Sequence, residues 1–225
     1  MDRQEQNHRK LKELSTGLGF RLFGVADITP LKAEFIFPPE VVKDLNYGIA
    51  LGFPLQEQVL AEIQEHPTLL YFNHYRQVNN FLDQSALKLA AFIQEEGYKA
   101  MPIPASQVID WQNQKGHLSH KKMAAAAGLG WIGRNNLLVT PQYGAQVRLV
   151  TILTDMPLST DRPLTDNCGA CQACLATCPA KAIKEKPQDF DHQACFAALK
   201  EFQRKKYVPQ YICGICVKAC KGKGK

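Results

Sequence analysis

Eight cysteines are the residues best placed to do chemistry, and none occurs before Cys168. Four form the run Cys168-Gly-Ala-Cys171-Gln-Ala-Cys174-Leu-Ala-Thr-Cys178-Pro179; Cys195, Cys213, Cys216 and Cys220 follow. Two gaps of two residues, a gap of three and a trailing proline are the spacing with which thiolates wrap a 4Fe–4S cube. When the fourth cysteine of each run crosses to the other cluster, one cluster takes Cys168, Cys171, Cys174 and Cys220. The other takes Cys178, Cys195, Cys213 and Cys216. Structural zinc also accepts four cysteines, commonly as separated pairs. A run of four with four more in the same order favours iron–sulfur. The second run is altered: the segment Phe196 to Lys206, read as an inserted helix, separates Cys195 from Cys213, and Lys221 stands where a proline would trail Cys220.

A second motif precedes the cysteines. Gly128-Leu-Gly130-Trp131-Ile-Gly133 satisfies Gly-x-Gly-x-x-Gly, with Asp155 at a plausible distance. Dinucleotide binding needs a strand before the glycines and a helix after them. Here an alanine-rich helix, Lys121 to Ala127, precedes, and Pro141 and Gly144 interrupt any helix that follows. The turn is therefore read as a place where backbone approaches another ligand closely. Asp110 and His120 are candidate proton donors, with His117 beside the latter. Solvated or capping roles compete for all three. Tyr71, His74 and Tyr75 form an aromatic patch whose default reading is core.

Those residues must be held by the elements around them. Residues 5–16 read as a helix stopped by Gly17 and Gly19, and Phe20 to Ala26 as a strand. Tyr47 to Phe53 reads as a buried strand, residues 56–65 as a helix, and Leu82, Ala86, Leu89 and Ile93 as the apolar face of a helix ending at Gly97. Lys99 to Ile103 is expected as a strand, with Pro102 marking a sheet edge or a strand end, and Ala145 to Thr154 as a β-branched strand of alternating character. Pro157 to Asn167 reads as a linker. This gives an α/β domain over residues 1–160 and a small two-cluster ferredoxin-like domain over 161–225.

Charge follows the same division. Through residue 167 the chain carries 16 Lys/Arg and 17 Asp/Glu; from Cys168 onward it carries 11 and 4. A basic C-terminal part suits nucleic acid, but it equally offsets about −2 on each oxidised cluster, and that reading is preferred. The tail Lys221-Gly-Lys-Gly-Lys225 is expected to be solvated. No apolar run approaches the length of a membrane span, and the polar N-terminus opens no signal core. A cytoplasmic, reducing location with no membrane partner is expected.

Taken together, Ala127-Gly-Leu-Gly-Trp-Ile-Gly-Arg-Asn-Asn-Leu-Leu-Val-Thr-Pro-Gln-Tyr-Gly144, then Leu153-Thr-Asp155, then the eight-cysteine order resemble the epoxyqueuosine reductase family. The resemblance implies a nitroreductase-like α/β sandwich that binds cobalamin, beside two 4Fe–4S clusters fed by a flavodoxin or ferredoxin. It implies reduction of an epoxide in a tRNA wobble nucleoside, and Gly130, Trp131, Gly133, Arg134, Asn135 and Asn136 would line or support the corrinoid site. Two departures redirect this expectation. The family's catalytic aspartate, about twenty residues before the position of Arg134, falls on Gln114, with Asp110 the nearest acid. The family's helical-repeat region, which helps hold tRNA, has no counterpart after Cys220. The expected activity is therefore a reductase acting on another small-molecule or nucleoside substrate through a corrinoid or directly; the alternative is a non-catalytic ferredoxin-like electron carrier.

Overall fold

The computed structural model describes residues 2–222; of the basic tail, Lys223 to Lys225 lie outside the described residues. In chain order the elements are α1 (Arg3–Gly17), β1 (Leu22–Asp27), α2 (Pro39–Val42), β2 (Tyr47–Pro54), α3 (Glu57–Glu62), α4 (Leu69–Glu95) and β3 (Ala100–Ile103). They continue with α5 (His120–Ala126), β4 (Trp131–Ile132), β5 (Leu138–Val139), β6 (Val147–Thr154), α6 (Ala173–Thr177), α7 (His192–Arg204) and α8 (Ile215–Ala219). The fold is mixed α/β.

Two compact units are each assembled from three separated segments, where the sequence reading drew one boundary after residue 160. One comprises Met1–Phe53, Asn79–Leu129 and Arg148–Leu164; the other comprises Pro54–Val78, Gly130–Val147 and Thr165–Lys225.

The first unit is built on a sheet of order β1-β2-β6-β3, with β1 antiparallel to β2 and β3 antiparallel to β6. The edge position expected for β3 holds, since Pro102 has no N–H to give a second neighbour. In β6 the expected alternation gives way to near-continuous burial from Val150 to Thr154, because the strand has neighbours on both sides and a covered sheet. Helix α4 is much longer than its apolar stripe at Leu82, Ala86, Leu89 and Ile93 suggests. Those four side chains are at most 2% exposed, each contributing roughly 1–3 kcal/mol by leaving water.

Helix α5 lies on β1 at Gly24, where any Cβ would come within 2.2 Å of the Ala127 carbonyl. Only glycine permits that approach. The stretch read as a linker is instead docked. Val25 N–H donates to the Asp161 carboxylate at 2.8 Å and Asp161 N–H donates back to the Val25 carbonyl at 2.8 Å. Asn7 Nδ2 donates to the Pro157 carbonyl, and Leu158 is 1% exposed.

The second unit holds α3 and the start of α4, the short helices α6 and α8 packed together, α7, and the two-residue strands β4 and β5. Among the described residues, no helix is long and apolar enough to cross a membrane.

Candidate functional site

The cysteines occupy equivalent places on paired helices. Cys174 sits in the first turn of α6 and Cys178 at its C-cap; Cys216 sits in the first turn of α8 and Cys220 at its C-cap. Cys195 lies in the first turn of α7, whose N-cap Asp191 accepts a hydrogen bond from Ala194 N–H at 2.9 Å. The inserted helix expected between Cys195 and Cys213 is therefore present, and begins slightly earlier, at His192. Gly214, with φ of 83°, caps α8 between Cys213 and Cys216.

Electrostatic proximity sorts the thiols into two groups. Cys174 is pushed up to about 11, chiefly by burial and then by Cys220, Cys168 and Cys171. Cys220 is raised by burial, with Cys168 and Cys171 adding to it. Cys213 is pushed up to about 11 by burial, with Cys195 and Cys178 adding to it. Burial also raises Cys195, reinforced by Cys178 and Asp191. Cys216 is raised well above the usual thiol value by burial, then by Cys213, Cys195, Cys178 and finally Cys174. The quartets are thus Cys168, Cys171, Cys174, Cys220 and Cys178, Cys195, Cys213, Cys216, adjoining where Cys216 senses Cys174. As placed, no set of three or more His, Cys, Asp or Glu side chains among the described residues closes to ion-binding geometry. The grouping is one of neighbourhood. Eight soft donors in two such sets fit iron–sulfur ligation, in which bound metal takes the place of the thiol protons.

The glycine-rich turn is a β-hairpin inside the same unit. Trp131 pairs with Val139 and Ile132 with Leu138. Gly133 N–H donates to the Leu137 carbonyl and Asn136 N–H to the Gly133 carbonyl, both at 2.9 Å, while Asn136 takes the left-handed conformation at φ 58°. That is a short hairpin loop closed by a left-handed residue, a place suited to Asn or Gly. No helix follows the glycines, in keeping with the exclusion of a dinucleotide site. Of the residues carried over to a corrinoid site, Trp131 is buried and packs with Val139 and Ala145 against Leu137, Cys168 and Cys220. Arg134 donates from Nη1 to the Cys171 carbonyl and from Nη2 to the Gly169 carbonyl, both at 2.8 Å. Gly130 faces the Val139 carbonyl, Gly133 faces Cys168, and Asn135 is buried. Trp131, Gly133 and Arg134 thus lie against the cysteine loops.

The proton-donor candidates lie in the first unit. His120 bonds through Nδ1 to Thr151 Oγ1 at 2.8 Å and through Nε2 to the Pro104 carbonyl at 2.9 Å. A carbonyl only accepts, so Nε2 carries the proton and Nδ1 accepts from the hydroxyl. Burial, with Arg148 nearby, pushes the imidazole down to about 4. His120 borders a cavity of about 100 Å³ that His117 also lines. Asp110 accepts from the Asn113 side chain and from its backbone N–H, and these bonds lower its pKa.

One supporting segment was not visible in the sequence. A Cβ on Gly214 would lie 2.7 Å from both Ile63 and Tyr71, so residues from 54–78 brace the loop that carries Cys213 and Cys216. Lys218 Nζ donates to the Ala61 and Ile63 carbonyls, and His66 stacks on Tyr207 at 3.9 Å. Tyr71 and Tyr75 are core, as the default reading had it, and His74 Nε2 accepts from Gln56 N–H. Lys221 pairs with Glu57 at 3.3 Å, so part of the basic excess is used internally.

A chain that carries both a cysteine-rich unit and an α/β sheet unit is the class that this geometry defines, and comparison gives its relatives. No family model matches the chain. An epoxyqueuosine reductase from Bacillus cereus is 32% identical over 148 residues, 61% of this chain and 36% of that protein. A tetrachloroethene reductive dehalogenase from Desulfitobacterium hafniense is 28% identical over 211 residues, 91% of this chain and 35% of that protein. A crystal structure of an epoxyqueuosine reductase with a tRNA-Tyr stem loop superposes with TM-score 0.68 at 20% identity, covering 96% of this chain and 64% of that one. The chain is therefore related to the epoxyqueuosine reductases and to the reductive dehalogenases, which are oxidoreductases, and it shares the epoxyqueuosine reductase fold. It spans about a third of the length of these two sequence relatives.

Proposed function

We infer that this chain is the redox core of an iron–sulfur reductase, holding two 4Fe–4S clusters on Cys168, Cys171, Cys174, Cys220 and on Cys178, Cys195, Cys213, Cys216. One observation supports the reading: the thiols that raise one another most are those that the crossed order joins. Each cluster, when bound, supplies one-electron chemistry. The chain's own part is to supply thiolates, exclude water around Cys174 and Cys216, and clamp the Cys168–Cys171 loop through Arg134. Adjoining quartets suit transfer from one cluster to the next.

The electrons go to a corrinoid or to a bound substrate. The likeness to the two reductase groups supports cobalamin. Three of the residues carried over to that site, Trp131, Gly133 and Arg134, are engaged with the cysteine loops in this chain, and that supports the second reading, an electron carrier without its own substrate. A flavodoxin or ferredoxin serves as donor. A tRNA ligand is said of the relative in the stem-loop complex and is a weaker proposal here, since Lys218 and Lys221 are already paired. His120 and Asp110 are read as structural, because both ring nitrogens of the one are bonded and the other is held ionised.

Anaerobic reconstitution tests the reading. Iron and sulfide should each approach about eight atoms per chain, and stoichiometric zinc in their place overturns it. Addition of cob(II)alamin to the reduced, loaded protein separates the two forms: a changed corrinoid spectrum marks the reductase, and an unchanged one marks the carrier.

A further inference from the structure

The tip of the β4–β5 hairpin carries two buried donors that the polypeptide does not use. Asn135 is 3% exposed. Its Oδ1 accepts from Leu137 N–H at 3.3 Å, which fixes the amide orientation and leaves Nδ2 as the outward donor. Nδ2 is buried without a hydrogen-bond partner, and so is Nε of the neighbouring Arg134. Buried donors are nearly always satisfied, so two adjacent orphans call for an acceptor that the chain does not itself contain.

Their surroundings identify its chemistry. A Cβ on Gly133 would lie 2.9 Å from Asn135 Oδ1 and 3.5 Å from Cys168 Sγ, so the amide and that thiol border the same small space. Arg134 is anchored on the carbonyls of Gly169 and Cys171, between the first two cysteines of the run. The hydrophobic base of the hairpin packs on Cys168 and Cys220. Cysteines of one quartet therefore border the hairpin, Cys168 and the Cys171 backbone at its tip and Cys220 at its base, and the acceptors that suit its donors are anionic sulfurs.

Resting on the two-cluster reading above, we propose that Asn135 Nδ2 and Arg134 Nε donate hydrogen bonds to the sulfurs of the cluster held by Cys168, Cys171, Cys174 and Cys220. The hairpin is then a positioning element that sets this cluster's reduction potential. Donors and a guanidinium favour the more negative, reduced cluster, so they raise its potential.

The experiment compares loaded wild-type protein with Asn135→Leu by redox titration followed by electron paramagnetic resonance. Wild type that holds about eight irons satisfies the reading on which this rests; wild type without them overturns both. With loading intact, Asn135→Leu should weaken reduction of one cluster about tenfold, a fall of about 59 mV for one electron, and leave the other wave in place. Two unmoved waves, or two that move together, overturn the proposal alone. If the variant does not load, pulsed spectroscopy on reduced wild type labelled with ¹⁵N-asparagine decides it. A nitrogen coupling to one cluster supports the hydrogen bond, and none refutes it.

Discussion

The two units solve the problem of buried polarity in opposite ways. In the sheet unit, polar groups close on one another. His120 uses both ring nitrogens, Arg148 donates to Asn79 and to the Ala105 carbonyl, and Asp161 clasps β1. In the cysteine unit, buried thiols are pushed up, and Asn135 and Arg134 each keep an unused buried donor. Its helices α6 and α8 have five residues each, too short to stand without tertiary support. A unit whose buried polar groups close on one another in this way is finished largely by its own sequence. One with converging soft donors and orphaned N–H groups is finished by what it binds, and its stability follows occupancy.

The sharpest way to break this contrast is to remove the clusters. Chelation under oxidising conditions should make residues 165–222 the preferred site of proteolysis while the sheet unit persists. Limited digestion read by mass spectrometry should show cuts around α6 and α7 before any in β1, β2 or β6. Equal loss of both units would dissolve the distinction. Replacing Cys174 or Cys216 by Ser tests the pairing as well. Each variant should lower iron from about eight towards about four per chain, Cys174→Ser sparing the other quartet and Cys216→Ser sparing the first.

The sheet unit has its own weak point, acid. Burial holds His120 down at about 4, whereas the unfolded side chain titrates near 6.5. Between those values the unfolded chain binds more protons, so stability is full above about pH 6.5 and falls as pH drops towards 4. The gap corresponds to roughly 3 kcal/mol. Denaturant melts of wild type and His120→Gln at neutral and acid pH should converge as pH falls, the variant starting lower and losing less. Parallel curves would remove His120 from the account.

Arg134→Lys carries a smaller effect. Lysine reaches one of the two carbonyls that the guanidinium fork holds, so roughly 1–2 kcal/mol of loop anchoring goes. Iron release to a chelator should become several-fold faster, while the acid profile of the sheet unit does not change. Release at the wild-type rate would show that the Cys168–Cys171 loop holds itself.

How much of this was legible follows the range of the interactions. The short helices that carry Cys174 and Cys216 follow a spacing that is local and could be read, and the crossing rule supplies the proposed quartets. The edge strand could be read from Pro102, and α7 from the gap between Cys195 and Cys213. The first half of α4 was hidden because Asn73, His74, Arg76 and Gln77 break the apolar period there. Ile63 and Tyr71 gave no sign of bracing Gly214, since the contact joins positions far apart in the chain. The role of Arg134 was obscured for a related reason. A Gly-Trp-Ile-Gly-Arg stretch advertises a close backbone approach, but which neighbour approaches is decided by tertiary folding.

Asp110→Asn has the smallest expected effect and the cleanest meaning. The carboxylate accepts twice from Asn113, and those bonds keep it ionised at neutral pH. An ionised group cannot deliver a proton, and a group bonded within its own loop has little reason to swing away. A general acid at this position would be worth about 10²–10⁴-fold, so the assay has room to see it. With the loaded protein and any acceptor it reduces, turnover in Asp110→Asn should equal wild type across the neutral range. A large loss in that variant, regained in Asp110→Glu, would move proton delivery into the sheet unit. The contrast would then change character, because one of the paired groups of that unit would be an acid held in reserve.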